Sequence, residues 1–341
     1  MYATVIDTNN YPGADPFRSE TRQQIADIIR RLRQVADQLT PDLTAQDDLK
    51  LLSQTLRELR RAFTVFAPYR TQRKVTIFGS ARTPRDAPAY IHAERFARAM
   101  ADAGWFVVTG ASTGIMEAGH RGAGRDRSMG LNILLPFEQD ANEVIRGDPK
   151  LVTMKYFFTR KLMFVKECDA VVCLPGGFGT LDEAFEVLTL LQTGKRELLP
   201  LVFLDAPGGT FWRDWLAYIK NNLLAGGMIS PDDLALFLVT DRIEDAVSEI
   251  VNFYRAFHSM EYVQNQLVLR LQRSLPAARL AALEREFADI RSDGRFIEQG
   301  PLVGESQKPE LATLPRLTFH FNRRSLGRLR QLIDALNHDA V

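Results

Sequence analysis

The chain has 341 residues, 45% of them hydrophobic, which is ample for a buried core and more than one compact domain usually uses. Its 43 basic residues balance 42 acidic ones for a net charge of +1, which argues against bulk nucleic-acid or anionic-membrane binding. No apolar stretch approaches the roughly 20 residues of a membrane helix, and MYATVIDTNNYPGADPF lacks a charged-then-apolar signal pattern, so the expected location is the cytoplasm. Cys168 and Cys173 read as core fillers. The five histidines show no metal-ligand spacing, so no metal is expected.

Residues 1–18 read as a flexible arm. From Glu20, Ile25, Ile28, Ile29, Leu32, Val35 and Leu39 recur at helical spacing, and Pro41 breaks that helix. A second helix carries Leu49, Leu52, Leu56, Leu59 and Phe63, so residues 1–70 are predicted to form an arm and a helical hairpin. Strand and helix then alternate. Strands are expected at 74–80, 105–110, 129–136, 169–177, 199–205 and 234–240. Helices are expected at 90–103, after 111, and at 157–167, 180–192, 210–224 and 243–257. Continuous apolar strands between helices predict an α/β fold, a Rossmann-like doubly wound and mostly parallel sheet with helices on both faces, over residues 71–257. Residues 258–341 read as an α+β extension. It has helices at 261–273 and 277–291, a Gly- and Pro-rich linker at 292–310, a strand at 316–321 and a helix at 325–337.

Three strand ends share one chemistry: FGSAR (78–82), VTGASTGIMEA (108–118) and LPGGFGTLDEA (174–184). In a parallel sheet they lie on one edge. Helix starts there offer unpaired amides and a positive dipole end, and glycine lets an anion approach the backbone. The expected ligand is a phosphate, bound at Gly79, Gly110, Gly114, Gly176, Gly177 and Gly179, with Ser80, Ser112, Thr113 and Thr180 as hydroxyl donors. Glycine turns can also serve tight packing alone. No Lys follows these glycines as in a P-loop, and GASTG lacks GxGxxG spacing, which argues against an NTPase and a simple dehydrogenase. Past the third loop, Glu183 and Glu186 share a helix face, and a carboxylate there can reach the sugar carrying the phosphate. Upstream, Arg160 sits among Phe157, Phe158, Met163 and Phe164. It is either a snorkelling surface side chain or a group aimed at the phosphate or at Glu183.

PGGFGTLDE resembles the PGGxGTxxE motif of the LONELY GUY (LOG)-type phosphoribohydrolases, a family long labelled lysine-decarboxylase-like. TRKLMF, GIMEAGHRGA and FGSAR resemble further segments of it, and the likeness spans about residues 74–257. The resemblance implies cleavage of nucleoside 5′-monophosphates to a free base and ribose 5-phosphate. AMP and cytokinin-type nucleotides are candidate substrates, and no pyridoxal phosphate or other cofactor is implied. It implies Arg160 and Glu183 as the catalytic pair, with Gly176, Gly177, Gly179 and Thr180 holding the phosphate. Gly79, Ser80, Gly110, Ser112, Thr113, Gly114, Glu117, Lys161 and Glu186 complete the pocket. It also implies a homodimer or higher homo-oligomer. Two departures stand out: TGASTG where the family often has a GGG-type loop, and His120 where it often has Asn. The alternative is a non-catalytic nucleotide-binding or regulatory protein using the same pocket. Arg316, Arg323, Arg324, Arg328 and Arg330 would suit an anionic effector, although a solvated helix face fits them as well.

Overall fold

Apolar runs with no polar alternation can bury only in a sheet covered on both faces. In a computed structural model that describes residues 19–135, 140–305 and 311–338, they do so. The chain divides into two compact units, residues 1–57 and 58–341. The expected arm at 1–18 lies outside the described residues. Helix α1 (Ser19–Gln38) ends before Pro41, and α2 (Gln46–Phe66) follows a turn in which Leu43 takes a left-handed φ of 54°. The apolar faces of both helices stay largely in solvent, Ile28, Leu32, Val35 and Leu56 among them.

The second unit continues with β1 (Lys74–Phe78), α3 (Pro88–Asp102), β2 (Phe106–Thr109), α4 (Ile115–Ala123), β3 (Ser128–Ile133) and β4 (Leu151–Met154). Next come α5 (Phe157–Glu167), β5 (Ala170–Cys173), α6 (Phe178–Gln192), β6 (Leu201–Leu204), α7 (Phe211–Tyr218), β7 (Leu238–Thr240) and α8 (Ile243–Phe253). The seven strands are all parallel in the order β4-β3-β2-β1-β5-β6-β7. Alternate residues feed two cores. Val75, Ile77, Val107 and Val172 pack with Tyr90, Ala93 and Phe96 of α3. Phe78, Val108, Val171 and Phe203 belong to a core that also holds Ala184, Val187 and Leu191 of α6.

The extension departs from expectation in two places. Residues 261–273, expected as a helix, are instead a hairpin of β8 (Phe257–Val263) and β9 (Gln266–Leu271). The alternation in YVQNQLVLRL fits a half-buried strand pair better than a helix, and Gln264 turns the chain with a φ of 56°. After α9 (Ala277–Glu286), the first part of the expected linker is a strand, β10 (Arg291–Gln299). It is an edge strand whose polar side chains face water and whose register slips twice against β11 (Arg316–Phe321). Residues 306–310 of that linker lie outside the described residues. Helix α10 (Leu326–His338) closes the unit over the antiparallel sheet β10-β11-β9-β8. Two smaller differences lie in the parallel sheet. Strand β4 is too short and too half-buried to announce itself. Residues 231–236 form a 3-10 turn started by a Ser230–Asp233 capping box, which confines β7 to Leu238–Thr240.

The arginines expected to draw an anionic effector are largely spent within the chain. Arg316 donates to Glu305 at 3.0 Å, Arg328 to Asp289 at 3.0 Å, and Arg330 pairs with both Glu249 and Asp334. Arg323 lies over the Tyr262 ring, 5.0 Å from its centroid. Burying a charge is tolerable only with a partner, and Glu305 serves both Arg316 and Arg270, the latter at 2.6 Å. Replacing Glu305 by Ala strips a partner from two buried guanidinium groups. The expected cost is about 3–5 kcal/mol of stability, read as a lower urea midpoint at unchanged slope.

Candidate active site

Strand order reverses between β1 and β5, and a parallel sheet opens a crevice at the carboxyl edge there. A cavity of about 830 Å³ occupies that position. It brings together Gly79, Ser80, Gly110, Ser112, Arg160, Gly176, Gly177, Gly179, Thr180 and Glu183 of the predicted residues. Thr113, Gly114, Glu117, Lys161 and Glu186 are not among its lining residues.

The glycines divide into two kinds. A Cβ on Gly79 would stand 2.5 Å from Ile115 Cγ2, and one on Gly110 would stand 2.6 Å from the Met116 sulfur. On Gly114 it would meet the Ser80 carbonyl at 2.3 Å, and on Gly176 the Thr180 hydroxyl at 2.1 Å. These four let protein approach protein. Only Gly177 and Gly179 face open space. They open α6, where Thr180 and Leu181 N–H both donate to the Gly177 carbonyl. Among the described residues, the amides of Gly177, Phe178 and Gly179 have no backbone acceptor. An anion at that helix start meets free N–H groups and the positive dipole end.

The first two loops are tied to the third. Ser80 N–H donates to the Pro175 carbonyl at 3.2 Å, and Ile115 N–H donates to the Ser80 carbonyl at 3.0 Å. Thr113 Oγ1 donates to the Ala81 carbonyl at 2.8 Å, so its hydroxyl staples loops rather than facing the cavity. In TGASTG, Ala111 takes a φ of 60°, a conformation glycine adopts freely and alanine resists. It is held there by bonds from Ala111 N–H to Thr109 Oγ1 (3.0 Å) and from Asn142 N–H to the Ala111 carbonyl (2.8 Å). His120 lies wholly buried beneath. Its Nε2 is 3.0 Å from both Thr109 Oγ1 and the Met129 carbonyl, and its Nδ1 faces Asn142. Burial pushes its pKa down to about 4, against the opposing bonds to Met129 and Asn142, so the ring is neutral at physiological pH. Both departures from the family pattern thus sit in one network that shapes the loop.

Glu183, one turn into α6, is 6% exposed, and its Oε2 has no hydrogen-bond partner. Burial raises its pKa to about 7, while Lys161 and Arg160 pull it down. Arg160, one turn into α5, packs over the rings of Phe157 and Phe164, 4.9 and 5.7 Å to their centroids. Burial lowers its pKa and the charge of Glu183 opposes that, yet Arg160 Nε has no partner. Lys161 sits behind the pair instead of facing substrate. Its Nζ is 2.7 Å from Asp182, 4.0 Å from Glu183 and 3.9 Å from Glu186. Burial opposes its charge, but the bond to Asp182 and the neighbouring carboxylates outweigh that and raise its pKa. Glu117 is likewise engaged elsewhere, its carboxylate bonded to Arg85 at 2.5 Å.

Sequence reasoning missed the rest of the wall. Asn132 and Leu135 enter from the end of β3, Arg82 from the first loop, Phe178 from the third, and Phe211 from the start of α7. The signal was available for Asn132, since the end of β3 shares the carboxyl edge. Among the described residues no His/Cys/Asp/Glu group could hold a metal ion, and no helix is long and apolar enough to cross a membrane.

A family model described as "Possible lysine decarboxylase" matches residues 108–250. The cytokinin riboside 5′-monophosphate phosphoribohydrolase of Mycobacterium tuberculosis is 38% identical over 112 residues, 32% of this chain and 53% of that protein. The probable cytokinin riboside 5′-monophosphate phosphoribohydrolase LOGL9 of Oryza sativa subsp. japonica is 30% identical over 175 residues, 49% of this chain and 72% of that protein. The chain thus spans about half the length of the mycobacterial relative. Among solved structures, the molybdenum cofactor binding protein of Rippkaea orientalis aligns over 52% of this chain and 94% of its own. Its identity is 17% and its TM-score 0.37, too slight a likeness to argue from.

A carboxyl whose folded pKa stands above its unfolded value binds protons more tightly when folded. Its stabilisation is therefore full at low pH and is lost as pH rises from about 4.5 through about 7. Glu183→Gln removes that loss. The stability difference between variant and wild type is expected to move in the variant's favour by up to about 3 kcal/mol between pH 4.5 and pH 8, measured by urea unfolding at each pH.

Proposed function

Because the chain belongs to the LONELY GUY (LOG)-type phosphoribohydrolase family, we propose that it hydrolyses the N-glycosidic bond of nucleoside 5′-monophosphates, giving free base and ribose 5-phosphate. AMP and cytokinin-type nucleotides are the first candidates, since the relatives' names specify cytokinin riboside monophosphates. The observation that carries the reading is the buried Glu183 carboxyl, its Oε2 unpartnered, in the same cavity as the free amides that open α6.

The phosphate docks on the amides of 177–179, with the Thr180 hydroxyl beside it, and the ribose then lies toward Glu183. As the C1′–N bond breaks, positive charge grows on the sugar, and a carboxylate in a dry site stabilises it strongly. Water adds to C1′ as the C1′–N bond breaks; Glu183 takes one of its protons and returns it to the departing base nitrogen, and the other stays on the new hydroxyl. Arg160 clamps the substrate and holds the position of the carboxylate. Lys161 keeps the charged form of Glu183 within reach by lowering a pKa that burial alone would push higher. The same reading includes a homodimer or larger assembly, supported by the exposed apolar faces of α1 and α2.

Incubation with AMP, other monophosphates and isopentenyl-adenosine monophosphate is expected to release ribose 5-phosphate. Glu183→Gln and Arg160→Ala should each lower the rate about a hundredfold or more. The ionised carboxylate is the active form, so kcat/KM should climb with pH through about 7. No release from any nucleotide, or undiminished release by Glu183→Gln, rejects the reading; AMP raising Tm without product then points to nucleotide binding alone. Light scattering should give a mass above the 38.5 kDa of one chain.

A further inference from the structure

Helix α5 carries Arg160 yet has no start of its own making. It opens with Tyr156, Phe157 and Phe158, has no capping side chain at Tyr156, and holds no acidic residue in its first turn. Phe157 and Phe158 are about half in solvent, Phe158 stacking on Tyr156 at 5.3 Å between centroids, so the aromatic side chains of that turn pack on one another more than on the core. Four N–H groups of any helix start need acceptors from elsewhere.

A carboxyl group of α2 ties that start from both sides, through the Lys155 N–H just ahead of the helix and the Thr159 side chain within it. Glu58 is 4% exposed, and its Oε1 takes a hydrogen bond from Lys155 N–H at 2.8 Å. Its Oε2 takes one from the fully buried Thr159 hydroxyl at 2.6 Å. Thr159 Oγ1 is also 2.8 Å from the Tyr156 carbonyl, which in turn accepts from Arg160 N–H at 3.3 Å. One carboxyl group thus spans the turn from Lys155 to Thr159. The next residue along is Arg160, whose pose against Phe157 and Phe164 requires that turn to be formed.

We propose that Glu58 is a positioning residue for Arg160: a tie across the start of α5, supplied over 101 residues of sequence and from outside the 108–250 family match, that fixes where the guanidinium enters the cavity. The proposal rests on the reading that Arg160 acts in nucleotide cleavage. Glu58 is not among the residues lining the cavity, and both of the bonds given above run to the start of α5.

The test compares Glu58→Ala and Glu58→Gln in the full chain. Glutamine keeps both contacts: its carbonyl accepts from Lys155, its amide donates to Thr159 Oγ1, and the Thr159 proton goes to the Tyr156 carbonyl. Glu58→Ala is expected to lower kcat for AMP about tenfold while KM moves less than about threefold, and to speed amide exchange across 155–161 about tenfold. Glu58→Gln should restore both to within about threefold of wild type. A folded Glu58→Ala protein with wild-type kcat and wild-type exchange overturns the proposal, and so does a Glu58→Gln variant as damaged as the alanine. If Glu58→Ala fails to fold, Thr159→Val, which deletes the hydroxyl's contacts with Glu58 and the Tyr156 carbonyl at nearly constant shape, should show the same two changes at about threefold, and no change in either overturns the proposal. If the wild type releases no ribose 5-phosphate, the cleavage reading is what fails. Exchange at 155–161 needs no turnover and still decides whether Glu58 holds the turn.

Discussion

A carboxyl group removed from water with one oxygen lacking a hydrogen bond is an expensive thing for a fold to keep, and the arrangement around Glu183 follows from keeping it. The parallel sheet supplies the burial, because its strand ends and the helix starts above them wall off the crevice. Lys161 supplies a distant countercharge without closing the contact, at 4.0 Å, while Asp182 takes the lysine's short bond. Arg160 supplies a second countercharge, itself short of hydrogen bonds. Two half-satisfied groups of opposite sign thus share one cavity. A structural ion pair would have collapsed into contact. A site awaiting a ligand that carries both an anion and a developing cation has reason to stay open.

Much of this was legible in the residues. The continuous apolar strands disclosed the parallel sheet, since strands such as VTIF and AVVC leave no polar face. The sheet then forced FGSAR, TGASTG and PGGFGT onto one edge. Side-chain direction was less legible. Lys161 and Glu186 stand next to catalytic candidates in sequence and share their helices, yet they turn to each other behind the site. Glu117 turns to Arg85. Helical spacing places residues on faces but does not say which neighbour will neutralise them. The same limit hid Glu58, whose partner lies far off in sequence.

The glycine loops correct a simple inference. Most of their glycines serve the contact of one loop with another, as at Gly114 against the Ser80 carbonyl and at Gly176 against Thr180. Only Gly177 and Gly179 leave room for a ligand. The extension failed for a different reason. Short strands with mixed polarity, such as RSDGRFIEQ, resemble linkers until a partner strand gives their alternate residues something to cover.

The core beneath α6 is not confined to the α/β part of the chain. Ala184, Val187 and Leu191 share one apolar cluster with Phe253 of α8, Leu269 and Phe319 of the antiparallel sheet, and Leu326, Leu329 and Ile333 of α10. Helix α6, whose first turn lines the cavity, is therefore covered further along by α10. Without α10 the apolar flank that Val187 and Leu191 share with Leu326, Leu329 and Ile333 would lie open to water, so substitutions in α6 and α10 are coupled through packing.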